Sequence, residues 1–137
     1  MSKLKLLGYI LLFLMIAPLT ATAGDFDGSK SLICAAVSTV SCSDGSTCHQ
    51  GTAEDIDFPQ FLRIDFVKNK ITTTRNPQIE KITDIRNMER LEGELILQGV
   101  EGGRGWSMSI WEATSKMVIT ASGLEEGFIV FGACTPQ

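Results

Sequence analysis

Histidine is nearly absent from this sequence: His49 is the only one. A serine or cysteine hydrolase needs a nucleophile with a base at hand. No Gly-x-Ser-x-Gly is present either, and His49 reads as a surface loop residue. Zinc is disfavoured for the same reason, because the cysteines are spaced by eight, six and 86 residues and form no C-x2–4-C pair. Asp25-x-Asp27-Gly28 lacks the remaining ligands and the closing Glu of a calcium loop. Gly99–Gly105 is glycine-rich but follows no Walker pattern, so it is a turn and not a phosphate cradle. No Asn-x-Ser/Thr sequon occurs. These absences leave neither a cofactor nor a metal to assign.

Basic runs are missing too. Lys3 and Lys5 flank an apolar stretch, Leu6–Ala17, too short for a bilayer, which needs about 20 residues. Pro18 breaks it, and Ala21-Thr22-Ala23 offers a small-residue cleavage site. Residues 1–23 are therefore expected to be a cleaved signal peptide, leaving one domain, 24–137. Taking Lys3 and Lys5 from the 12 basic residues leaves 10 against 16 acidic ones, a net charge of −6. That balance argues against nucleic acid and anionic membranes as partners, and against stable membrane insertion after cleavage. The expected location is the periplasm or the extracellular space.

What the chain does have is alternation. Glu94–Val100, Trp106–Trp111 and Lys116–Ser122 alternate between turns, and Phe128–Phe131 is apolar throughout. This predicts an antiparallel meander. A Gly102-Gly103 hairpin turn pairs Glu101 with Arg104, Gly99 with Trp106, Leu97 with Met108 and Leu95 with Ile110. That face is the more apolar and should be the core, with Gly99 leaving room for the indole. Closing the next hairpin over Ala113–Lys116 sets Ile110 against Ile119 and Met108 against Ala121, with Trp111 beside Val118. For the last hairpin two loops are open: Gly123–Glu126 turns Phe128 and Val130 inward, and adding Gly127 turns Ile129 and Phe131 inward.

Upstream, Ser31–Ser41, Phe61–Val67 and Ile71–Thr74 read as strands. Pro77 interrupts the pattern, since proline cannot donate to a sheet ladder. Ile79–Leu91 repeats every third residue, which fits neither element cleanly: its Glu and Lys content favours a helix and its all-β neighbourhood a bent or bulged strand, the reading preferred here. The fold expected is all-β: one antiparallel meander closing into a barrel or barrel-like sandwich of about 7–8 strands, disulfide-linked.

All four cysteines follow the cleavage site, which reads as two disulfides in an exported domain. Cys42 and Cys48 face each other across an Asp44-Gly45-Ser46 loop, and barrel closure brings Cys34 to Cys134. In size, export and cysteines near both ends of the mature chain, the domain resembles in general plan the small periplasmic lysozyme-inhibitor barrels. Ser122-Gly123 matches at most a fragment of their inhibitory loop, no Tyr follows it, and no residue role carries over.

The functional expectation is a binding or inhibitory module for a protein or small ligand in the cell envelope. The alternatives are a structural subunit of an envelope assembly or a hydrolase using dispersed carboxylates such as Glu54, Asp55, Asp57 and Asp65. The candidate binding patch is outward-facing: Trp111, Val118 and Ile96, unless Ile79–Leu91 packs over it.

Overall fold

A computed structural model describes residues 26–76 and 79–137. The expected signal peptide and Pro77 lie outside the described residues. Ten strands form one antiparallel sheet: β1 (Leu32–Ser43), β2 (Thr47–Gly51), β3 (Phe61–Asp65), β4 (Lys70–Asn76), β5 (Ile79–Asp84), β6 (Asn87–Leu91), β7 (Glu94–Glu101), β8 (Arg104–Trp111), β9 (Lys116–Ser122) and β10 (Glu126–Pro136). The order is β5-β4-β3-β1-β10-β9-β8-β7-β6, with β2 paired to β1 beside this path. Apart from the 3-10 turn Glu54–Ile56, no helix occurs among the described residues.

The sheet curls into a half-barrel whose edge strands, β5 and β6, are consecutive in the chain. Only Ile85 and Arg86 separate them. This break is how the three-residue periodicity of Ile79–Leu91 is resolved. Its first half pairs with β4 and its second with β7. At the break Ile85 N donates to Asn69 O (2.8 Å) and Arg86 N to Gln98 O (2.9 Å), so both edges are tied. An ion pair between Lys81 on β5 and Glu101 on β7 spans the same seam. The strand count exceeds the expected 7–8 for two reasons: this segment makes two strands, and the Cys42–Cys48 turn carries its own returning strand, β2.

The β7–β8 register is the expected one, from Leu95↔Ile110 through Gly99↔Trp106 to Glu101↔Arg104. Gly102 and Gly103 both take positive φ, 56° and 79°, as the two-residue turn requires. The β8–β9 register differs from expectation by two residues. Met108 faces Ile119, Ile110 faces Met117 and Trp106 faces Ala121. The reason is local: Ser115 adopts φ 56°, so the loop closes over 112–115 and Lys116 already pairs with Trp111. A shift of two keeps every side chain on its expected face. At the last hairpin Gly127 pairs with Ser122 and Phe128 with Ala121, which turns Phe128 and Val130 inward.

The core lies inside the curl. Leu32, Leu97 and Ile110 are fully buried there, beside the Cys34–Cys134 disulfide. Cys34 and Cys134 are direct partners across β1 and β10, and Cys42 and Cys48 across β1 and β2. One end of the core is closed: Phe66 and Ile85 are buried, and Phe26 and Met88 pack on the cluster. Two disulfides fit a protein that folds outside the reducing cytosol. No helix among the described residues is long and apolar enough to cross a membrane.

Candidate functional site

The other end of the half-barrel opens into a cavity of about 630 Å³. Its apolar wall comes from the inward rows of β8, β9 and β10: Trp106, Met108, Ile119, Ala121 and Phe128. Toward the opening the inward row of β9 shortens from Ile119 to Ala121, while the inward rows of β8 and β10 carry the large rings of Trp106 and Phe128. The opposite wall is mixed, with Leu62 and Ile71 beside polar side chains. Thr73, Lys81 and Thr83 sit at inward positions of β4 and β5, where Thr73 pairs with Lys81 and Ile71 with Thr83.

The connection from β2 to β3 forms one lip. Thr39, buried in β1, donates its hydroxyl to Thr52 O (3.0 Å) and anchors the connection. The 3-10 turn follows, and Phe58 packs edge-on against Phe128 with ring centroids 6.0 Å apart. The Thr52 backbone N–H (2.7 Å) and then its hydroxyl (2.8 Å) donate to Asp55 and hold its carboxyl below the usual carboxylate value. Across the opening, Arg104 pairs with Glu126, and Lys81 with Glu101.

Trp106 is the hinge between core and cavity. A methyl group placed on Gly99 would sit 2.6 Å from Trp106 Cε2 and 2.7 Å from the Asp84 carbonyl oxygen. The indole therefore lies directly on the Gly99 backbone, beside the seam where β5 approaches β7. Its Nε1 is the one buried side-chain nitrogen or oxygen without a hydrogen-bond partner among the described residues. Such an orphan donor costs about 1–3 kcal/mol.

The outward patch expected from sequence is also placed. Trp111 is 49% exposed, while Val118 and Ile96 are half-buried. Trp111 lies opposite Lys116 and Glu94, so Val118 and Ile96 are both its diagonal neighbours, not its direct partners. Phe131, 42% exposed, stands opposite Val118 and extends the patch. Ile79–Leu91 does not cover it, because that segment forms the two sheet edges. His49 is exposed on β2, and Asp65 lies across the fold from Asp55, capping the β3–β4 turn by accepting from Lys68 N (3.0 Å) and Val67 N (3.1 Å). The dispersed carboxylates thus do not converge as one group. Among the described residues no cluster of His, Cys, Asp and Glu could hold a metal ion.

Sequence reasoning missed the opening itself. It assigned Trp106 to the core and passed over Phe58, Lys81, Arg104 and Glu126. One signal was available: hydroxyls at the inward positions of β4 and β5. Comparison with protein-family models, curated proteins and solved structures found no match.

Proposed function

We propose that this protein is an exported binding module of the periplasm or extracellular space that takes a small amphipathic ligand into the open end of its half-barrel. The observation that carries this reading is the cavity of about 630 Å³, apolar along β8–β10 and mixed along β3–β5. Small-molecule sites run from about 300 to 1,000 Å³ and combine apolar lining with a few placed polar groups. Barrels commonly hold ligands at their mouths. The patch around Trp111 supports a second reading, a protein partner docked on the outer face, because exposed tryptophan is enriched where interfaces concentrate their energy.

Titration with the neutral fluorophore N-phenyl-1-naphthylamine separates the two. Saturable 1:1 binding is expected, abolished by Thr73→Trp or Ala121→Trp and unchanged by Trp111→Ala. If folded cavity-filling variants bind the probe as the parent does, the cavity reading fails.

A further inference from the structure

We infer that the ligand taken at this opening carries a positive charge: an amine-bearing amphiphile, its apolar body on the β8–β10 wall and its ammonium group among the carboxylates of the lip. The inference rests on the cavity reading above and adds the chemical class of the ligand. The charges lining the opening are Asp55, Asp57, Glu101 and Glu126 against Lys81 and Arg104, four acidic to two basic. Both cations are held by carboxylates, Lys81 by Glu101 and Arg104 by Glu126. An incoming anion would have to displace one of these and would meet the net negative field of the lip. An ammonium meets that field favourably and finds carboxylate acceptors on both sides of the opening, on the 3-10 connection and at the ends of β7 and β10. Asp55 stays ionised through the ordinary pH range, because Thr52 donates to it twice. The apolar wall of Trp106, Met108, Ile119 and Phe128 faces a β4–β5 wall that carries Thr73, Lys81 and Thr83, so a two-sided ligand fits.

Three probes of equal chain length test this by calorimetry at pH 7 and low salt: octylammonium, 1-octanol and octanoate. Octylammonium should bind about tenfold or more tighter than octanoate, with octanol between, and the gap should narrow as salt rises. The double substitution Glu101→Gln, Glu126→Gln leaves two carboxylates against two cations and should remove most of the octylammonium preference. Should that variant not fold, the salt dependence of the unmodified protein still decides. Octanoate binding as tightly as octylammonium would overturn the charge inference and leave the cavity reading standing. No binding of any probe, or binding unaffected by Thr73→Trp, would overturn both.

Discussion

Gly99→Ala is the sharpest probe of how the open end is built. Two obstacles meet the added methyl group: the indole of Trp106, with Cε2 at 2.6 Å, and the Asp84 carbonyl oxygen at 2.7 Å. Both are well inside ordinary contact, so something must shift. The indole is a side chain and can rotate. The carbonyl belongs to the backbone just before the Ile85–Arg86 break, where Arg86 N is held by Gln98 O. Overpacking a well-filled site costs about 1–3 kcal/mol. Gly99→Ala should fall in the upper half of that range, because both obstacles act together. In a Trp106→Leu background the side-chain obstacle is gone, and the penalty should drop by about half without vanishing. Urea denaturation of the four proteins of this cycle gives the coupling directly. A neutral Gly99→Ala would refute the close approach. A penalty unchanged by Trp106→Leu would assign all the strain to the seam and none to the ring.

The remaining predictions concern the tryptophans, the disulfides and acid. Trp106→Ala should cost about 3–5 kcal/mol, as large aromatic truncations do, whereas Trp111→Ala, half exposed, should cost well under that; equal losses in urea melts would contradict their placement. Replacing Cys34 and Cys134, 100 residues apart, should cost about 4–5 kcal/mol in the chain-entropy model and Cys42 and Cys48, six apart, about 2; the reverse order in thermal melts would show that loop closure does not govern their contributions. Hydrogen bonds from the Lys68 N–H to Asp65, from Ser29 to Asp27 and from Thr52 to Asp55 lower these carboxyls from the usual 3.8. Their stabilisation is therefore complete above about pH 5 and is lost as pH falls through the folded values. The urea midpoint should fall in acid, less steeply in Asp65→Asn than in the parent.

The meander was legible because its signals agree. Between Glu94 and Val130 alternation, turn glycines and the faces they imply point to one arrangement, and a two-residue register slip at β8–β9 changed no face. The slip itself was illegible: it depends on Ser115 taking a left-handed conformation, which serine does without a strong sequence mark. The break at Ile85–Arg86 was half legible. Its period fitted neither strand nor helix, and the reason is tertiary, since each half answers to a different neighbour. The outer patch was readable from parity alone. The cavity was not, because its lining comes from segments far apart in sequence: the 3-10 connection, β4 and β5, and the ends of β8, β9 and β10.

The two ends of the half-barrel differ in the same residues that make it stable. At the closed end the inward positions carry Phe66 and Ile85, and the long disulfide lies within the core. At the open end Ala121 and Thr73 line the cavity beside Trp106 and Phe128, and the lip carries the Thr39–Thr52 bond, the Asp55 turn and two ion pairs. Surface ion pairs are worth little to stability, typically about 0–1 kcal/mol, so the lip owes its shape more to Phe58 on Phe128 and to the second disulfide at the base of β2.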